Sequence, residues 1–101
     1  MNFFKKLFTR APKPDFTEII NRGGIIIDVR TSGEFQAGHI KKSKNIPLDR
    51  LPSTISKLKK DVPVITCCAS GARSASARRI LLSAGFKEVY NGGSWMNLRN
   101  L

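Results

Sequence analysis

The stretch that decides the fold is Val62-Pro63-Val64-Ile65-Thr66-Cys67-Cys68-Ala69-Ser70-Gly71-Ala72-Arg73-Ser74. Its opening residues, 62–67, are rich in β-forming side chains and predict a buried strand. Small residues follow and predict a tight loop. Residues 74–84 then carry apolar side chains at helical spacing, and Gly85 is placed to end that helix. The stretch therefore predicts a strand, a loop and a helix in immediate succession.

The loop of this stretch has the composition of an anion-binding site. Small side chains let its backbone N–H groups turn inward, and the following helix adds free N–H groups and the positive end of its dipole. Cysteines in such surroundings have pKa values of roughly 3.5–7.5. The sequence therefore predicts a nucleophilic thiolate at Cys68. The predicted anion-binding residues are Ala69, Ser70, Gly71, Ala72, Arg73 and Ser74.

The rest of the chain alternates strands with helices. The β-branched run at residues 25–29 predicts a second strand buried on both faces, as in parallel sheets. The other predictions are short helices over residues 15–20 (capped by Asp15 or Thr17) and 33–37 (capped by Thr31 or Ser32), a helix over residues 52–59, a strand at 88–90, a turn at 91–93 and a closing helix at 94–101. This order predicts a single α/β domain with a mainly parallel central sheet and helices on both faces.

Ligands of such sheets bind at the carboxyl ends of the strands, which is where Cys68 lies in the prediction. Asp28 comes near the carboxyl end of the other strong strand and is predicted to face the same crevice. We expect it to support the site in one of two ways. Its carboxylate either caps the following turn or holds Arg73 and the loop in place.

Composition restricts the possible partners. The net charge of +11 favours anionic partners, but the basic segments lack interleaved aromatic residues, so nucleic acid is not expected. Two adjacent cysteines form no disulfide framework and, with a single histidine, predict no metal site. Free thiols favour a reducing, cytoplasmic location. No apolar run approaches the ~18 residues of a membrane-spanning helix.

Two parts are predicted along the chain. Residues 1–14 form an amphipathic, basic segment followed by a Pro-rich linker, and residues 15–101 form the domain. Phe3, Phe4, Leu7 and Phe8 share one helical face. We favour a turn that covers the core edge, or a tail, over a membrane anchor for this segment.

The motifs of the chain, taken together, resemble the rhodanese-like sulfurtransferase domain over residues 16–95. The landmarks are Ile27-Asp28-Val29-Arg30, Glu34-Phe35, Gly38-His39-Ile40, Asn45-Ile46-Pro47, Cys68-Ala69-Ser70-Gly71-Ala72-Arg73-Ser74, Gly85-Phe86 and Gly92-Gly93. The resemblance implies that Cys68 accepts a sulfane sulfur from a small anionic donor such as thiosulfate. The resulting persulfide passes it to a thiol, cyanide or protein acceptor, without a metal or organic cofactor. A short stand-alone domain of this kind favours a bacterial, monomeric protein.

Two alternative functions remain open. Counted from Cys67, five residues precede Arg73, which is the spacing of cysteine phosphatases. In the second alternative, the chain is a persulfide carrier or protein-docking module with little turnover.

His39 is expected to be a structural hydrogen-bonding residue rather than a general base, because an ionised thiolate needs no base.

Overall fold

The predicted alternation of strands and helices is present in the computed structural model, which describes residues 14–101. The elements are α1 (Phe16–Asn21), β1 (Ile25–Asp28), α2 (Ser32–Ala37), β2 (Lys44–Asn45), α3 (Leu51–Thr54), β3 (Val64–Cys68), α4 (Ala72–Ser83) and β4 (Val89–Ser94). Two 3-10 turns, Leu48–Arg50 and Ile55–Lys57, flank α3. A third 3-10 turn, Trp95–Leu98, follows β4.

The four strands form one parallel sheet in the order β2-β1-β3-β4. Strand β3 lies between β1 and β4, and all five of its residues are buried. Ile26 pairs with Ile65 and Val64 pairs with Val89, so the carboxyl ends of the three strands lie at one edge. The predicted parallel sheet is confirmed, and Cys68 lies at the edge where ligands bind in such folds.

The two faces of the sheet carry separate cores. One core packs Leu51, Ala77 and Leu81 against the sheet and contains Cys68. The other consists of Ile19, Ile26, Ile65, Cys67 and Leu98. Successive residues of a strand point to opposite faces, which is why the two neighbouring cysteines belong to different cores. Helices therefore cover both faces, as predicted.

The boundaries around the decisive stretch differ from the prediction. Strand β3 begins two residues later and includes Cys68 as its last residue. Helix α4 begins at Ala72 rather than at residue 74. Gly71 is the N-cap residue of this helix, and its left-handed backbone conformation (φ 108°) allows the helix to begin there. The predicted turn at residues 91–93 is wrong: these residues belong to β4, whose register with β3 shifts between Thr66 and Cys68.

Two predicted helices are shorter than expected. The segment expected to be helical over residues 52–59 contains only α3 between two 3-10 turns, although Pro52 does lie in the first turn. The Ser53 and Thr54 hydroxyls each donate to the carbonyl of Arg50 at 2.9 Å, and such side-chain bonds compete with regular helix. The predicted closing helix is the 3-10 turn Trp95–Leu98.

The two short helices near the amino end of the described chain are confirmed with their caps. The Asp15 carboxylate accepts the N–H of Glu18 at 3.1 Å to begin α1. Thr31 begins α2 and forms a reciprocal capping box with Glu34. The predicted amphipathic segment at residues 1–10 lies outside the described residues. Within residues 14–101, no helix has the length and apolarity needed to cross a membrane.

Candidate active site

Cys68 ends the central strand directly below the loop that leads into α4. Its side chain is fully buried, and its Sγ accepts the backbone N–H groups of Gly71 at 3.0 Å and Ser74 at 3.3 Å. Gly71 reaches this position through its φ of 108°, which an L side chain rarely adopts. The predicted inward turn of the loop amides is thus present around the sulfur.

The same sulfur supplies the capping hydrogen bond that Gly71, the N-cap residue of helix α4, has no side chain to make. A helix start leaves N–H groups unpaired, and a side chain at the N-cap residue usually accepts one of them. Gly71 has no side chain to do so, and the N–H of Ser74, the third residue of the helix, donates to Cys68 Sγ instead. A negative charge on the sulfur therefore stands at the positive end of a 12-residue helix.

These surroundings favour the ionised form of Cys68. Burial by itself would raise the pKa of the thiol. Hydrogen bonds from the Ser74 hydroxyl and from the backbone N–H groups of Ser74, Gly71 and Ser70 outweigh burial and hold the pKa below that of an ordinary thiol. Cys68 therefore ionises more readily than a free cysteine, as the sequence predicts.

The Ser74 hydroxyl contributes less constantly than the backbone amides, because it has one proton and three neighbours. Its Oγ lies 2.6 Å from Asn91 Oδ1, 3.1 Å from the Gly71 carbonyl and 3.4 Å from Cys68 Sγ. The short contact with Asn91 takes the proton when Cys68 is a thiol, whose S–H then donates to Ser74 Oγ. The backbone N–H groups have no such competing acceptor and are the constant stabilisers of the thiolate.

Asn91 is a site residue that the sequence does not reveal, since its surroundings predict only a turn. Its Oδ1 accepts from Ser74 Oγ at 2.6 Å and from the Gly93 N–H at 2.9 Å, and its Nδ2 donates to the Gly71 carbonyl at 3.2 Å. It thereby joins β4 to both ends of the loop. The only signal for this role is an asparagine beside a double glycine.

Arg73 carries the only charged side chain of the predicted loop, and it is paired. Its Nη1 and Nη2 donate to Glu34 Oε1 at 2.7 Å and Oε2 at 3.0 Å, in the two-pronged geometry of a guanidinium on a carboxylate. These bonds, helped by Thr31, lower the pKa of Glu34 to about 2. The sequence places Glu34 in a short helix and in a motif, but gives no sign of this contact.

Asp28 fulfils the first of its two predicted alternatives and not the second. Its Oδ1 accepts the backbone N–H of Arg30 at 3.0 Å, and its carboxylate binds the Arg30 guanidinium at 2.7 Å, with both side chains buried. The Asp28 carboxylate is occupied by Arg30, and Arg73 is held by Glu34 instead. Trp95 covers Arg30 with its ring centroid 4.5 Å from the guanidinium carbon.

Cys67 differs from Cys68 in the core to which it belongs and in the direction of its pKa shift. It lies in the core on the opposite face of the sheet. Burial and the nearby Asp28 carboxylate raise its pKa to about 12. It is therefore a neutral thiol remote from the loop amides, and the phosphatase spacing counted from Cys67 does not correspond to a nucleophile in the structure.

The remaining predicted residues have simpler roles. Ala69, Ser70 and Ala72 are exposed and contribute backbone rather than charge to the loop. The His39 Nδ1 lies 2.8 Å from the Phe35 carbonyl, and its ring stacks on that of Phe35, as expected of a structural residue. Among residues 14–101, no group of three or more His, Cys, Asp or Glu side chains is arranged to hold a metal ion.

Comparisons with known proteins agree with this geometry. The family model of the rhodanese-like domain matches residues 13–97. The thiosulfate sulfurtransferase GlpE of Stutzerimonas stutzeri is 36% identical over 84 residues, which are 83% of this chain and 77% of that protein. A rhodanese from E. coli, described with anions, has a TM-score of 0.69 and 30% identity over 73% of this chain and 89% of its own. The human single-domain sulfurtransferase TSTD1 shares the fold, with a TM-score of 0.76 at 24% identity over 90% of this chain and 97% of its own.

Proposed function

This chain belongs to the rhodanese-like domain family and is a sulfurtransferase, and we propose that it works through a persulfide on Cys68. The donor is a small anion with a terminal sulfane sulfur, such as thiosulfate. Thiosulfate is the donor in the name of the similar protein GlpE, a thiosulfate sulfurtransferase. The acceptor is a thiol, cyanide or a protein cysteine. No metal or organic cofactor takes part in either step.

In the first step, the Cys68 thiolate attacks the outer sulfur of the donor. A new S–S bond forms at Sγ, the bond between the two donor sulfurs breaks, and sulfite leaves with the bonding electron pair. The thiolate is already ionised, so no general base is required. The product is a Cys68 persulfide anion within reach of the loop amides.

In the second step, the acceptor attacks the outer sulfur of the persulfide. The S–S bond breaks, its electron pair returns to Cys68 Sγ, and the thiolate is restored. The backbone N–H groups of Gly71 and Ser74 stabilise the negative charge that returns to the sulfur. Asp28 supports the site indirectly, by fixing the turn after β1 through Arg30.

The observation that carries this proposal is the convergence of two backbone N–H groups and a helix start on one cysteine sulfur. Thiolate chemistry with anionic substrates needs that arrangement, whereas a structural cysteine such as Cys67 has no use for it. We also propose that the protein is a monomer and that it works in the reducing cytoplasm of a bacterium. Its residues 1–14 would precede the catalytic domain.

Intact mass spectrometry tests the proposal directly. The reduced protein is incubated with thiosulfate, freed of excess donor and weighed. A Cys67→Ser variant and wild type are expected to gain one sulfur atom, and Cys68→Ser none. Cyanide then removes that sulfur as thiocyanate. Uptake of sulfur by Cys68→Ser, or none by wild type, would refute the mechanism, whereas loading without turnover would indicate a persulfide carrier.

A further inference from the structure

The positive charge at the mouth of the site is cancelled by the protein itself. Arg73 is the only charged residue between positions 68 and 74. Both ends of its guanidinium are occupied by Glu34, and the two side chains are each about one-third exposed, at 35% and 36%. A substrate that approaches from solvent therefore meets a neutral pair rather than a free cation.

Glu34 is held in place independently of Arg73. Its Oε1 also accepts the backbone N–H of Thr31 at 3.0 Å and the Thr31 hydroxyl at 3.1 Å, and its own N–H donates back to that hydroxyl. The carboxylate is thus fixed by the capping box of α2 before it meets Arg73. Because the pKa of Glu34 is about 2, the carboxylate stays ionised throughout the pH range of enzyme assays.

Arg30, a second cation near this edge, is also neutralised. Arg30 is buried and donates to the Asp28 carboxylate and to the carbonyls of Glu34 and Gly38. Its charge is balanced by a carboxylate 2.7 Å away. With Arg73 and Arg30 both paired, the described groups in direct contact with Cys68 Sγ attract an anion through the partial charge of the loop amides and of the α4 start, equivalent to about half an elementary charge.

A cleft of about 280 Å³ adjoins Arg73 and has a matching character. Among the described residues that line it, Arg73 is the only cation and Asp49 the only carboxylate. Apolar atoms predominate on its walls, which are formed by Val29, Pro47 and Leu48 together with Thr31. A donor that extends from Cys68 past Arg73 would pack an organic group against these walls, whereas a second negative charge would meet no cation there other than the paired Arg73.

From these contacts we infer that Glu34 sets the donor class, so that the site prefers singly charged organic sulfane-sulfur donors to the dianion thiosulfate. Organic thiosulfonates and persulfides belong to this class. The chemistry balances in the same way as for thiosulfate. The Cys68 thiolate takes the terminal sulfur of a thiosulfonate, and the sulfinate leaves with the electron pair. The inference rests on the proposed persulfide mechanism and specifies its substrate.

The test compares kcat/KM for benzenethiosulfonate with kcat/KM for thiosulfate in wild type and variants. Glu34→Gln keeps the shape and the capping acceptor, since glutamine also serves at that position of a capping box, but it uncovers the charge of Arg73. We expect thiosulfate turnover to rise and the preference for benzenethiosulfonate to fall by about 3- to 10-fold, the size of a charge interaction across a few ångströms of partly solvated protein.

A matched control separates this local effect from general attraction of anions. Glu18→Gln makes the same change in net charge, but Glu18 lies on α1 and pairs with Arg22, away from the carboxyl edge of the sheet. We expect it to leave the preference unchanged. Asp49→Asn, at an exposed position of the cleft, should lower the preference by about two-fold. It keeps the inference testable if Glu34→Gln does not fold.

The outcomes are distinguishable. If the donor preference of Glu34→Gln equals that of Glu18→Gln while Cys68 still gains sulfur, the inference is wrong and Glu34 only positions the loop. An equal change in turnover of both donors would refute the inference as well. If wild type gains no sulfur from either donor, the persulfide mechanism itself fails.

Discussion

Cys67 and Cys68 are adjacent in one strand and equally buried, with no exposed surface on either side chain, yet their surroundings give them opposite chemistry. The Cys67 thiol lies among apolar side chains, and its pKa is raised to about 12. The Cys68 sulfur receives backbone N–H groups, and its pKa is lowered. Burial therefore does not determine whether a thiol is reactive; the hydrogen-bond donors that replace water do.

The difference arises from strand geometry. A shift of one residue along a strand turns a side chain to the other face of the sheet. On one face, the end of β3 meets the start of α4 and the loop amides. On the other, it meets the core beneath α1 and the 3-10 turn Trp95–Leu98. A shift of one residue along β3 thus separates a sulfur that accepts backbone N–H groups from one that packs in an apolar core.

The largest effect is expected from exchanging the two sulfurs separately. Cys68→Ser should lower the rate of sulfur transfer by at least about 1000-fold, because a serine hydroxyl does not ionise at the pH of enzyme assays and forms no persulfide. Cys67→Ser should retain most of the rate. Thiocyanate production from thiosulfate and cyanide measures both. Equal loss in the two variants would mean that both thiols take part.

Gly71→Ala should weaken the amide environment that distinguishes Cys68. The φ of 108° at Gly71 is strained for alanine, at a cost of about 1–3 kcal/mol, and relief of that strain moves the N–H away from the sulfur. We expect lower stability in urea and slower persulfide formation. Gly33→Ala is the control, since Gly33 has open space around it and no left-handed φ. Unchanged persulfide formation in Gly71→Ala would show that this amide is dispensable.

The pH dependence of alkylation should separate the two thiols further. Iodoacetamide reacts with thiolates, so Cys68 should be modified with a midpoint below that of a free thiol, whereas Cys67 stays unmodified until about pH 12 or until unfolding. Peptide mass spectrometry identifies the modified residue. Ser74→Ala should move the alkylation midpoint of Cys68 upward. The shift should be partial, because the backbone N–H groups still lower the pKa of the thiol. Faster labelling of Cys67 would reverse the comparison.

The same titration has a consequence for stability. A group whose pKa is depressed by folding stabilises the protein above its unfolded pKa and loses that contribution as the pH falls through its folded pKa. Thiolate stabilisation by the Cys68 surroundings should therefore be complete in alkaline solution and decline on acidification. Urea unfolding of wild type and Cys68→Ser from alkaline to acidic pH measures this contribution to the free energy of unfolding. If the free energies of the two proteins change in parallel with pH, the prediction is wrong.

The smallest effect is expected from Cys67→Ala. Removal of one buried sulfur atom should cost about 1 kcal/mol of stability, because it leaves a small cavity in a core that otherwise stays intact. The rate of sulfur transfer should not change. Thermal unfolding and the thiocyanate assay together check this. A loss of activity without a loss of stability would assign Cys67 a chemical role.

Local sequence patterns are sufficient to predict much of this structure. The buried strands, the caps at Asp15 and Thr31 and the loop amides around Cys68 each depend on residues that are close in sequence. The Arg73–Glu34 pair cannot be predicted in this way, because the two residues are 39 positions apart and meet only through the packing of the sheet. The early start of α4 escapes prediction because it depends on the backbone conformation of Gly71.

The site residues that local patterns miss share this long-range character. Asn91 reaches the loop because β4 continues through a register shift that composition does not reveal, and a double glycine is more typical of a turn. The sequence leaves Asp28 two alternative roles, to cap the following turn or to hold Arg73, and only the folded geometry selects the first and places the Arg30 guanidinium on its carboxylate.

Because the Cys68 sulfur accepts the capping hydrogen bond of α4, the proposed reaction should be visible at atoms that do not react. The amide protons of Gly71 and Ser74 lie directly against Cys68 Sγ, so their nuclear magnetic resonance frequencies depend on the charge of that sulfur. Protonation, sulfur uptake and sulfur release each change that charge. Two backbone resonances should therefore follow the proposed catalytic cycle in real time, without a dye or a coupled reaction.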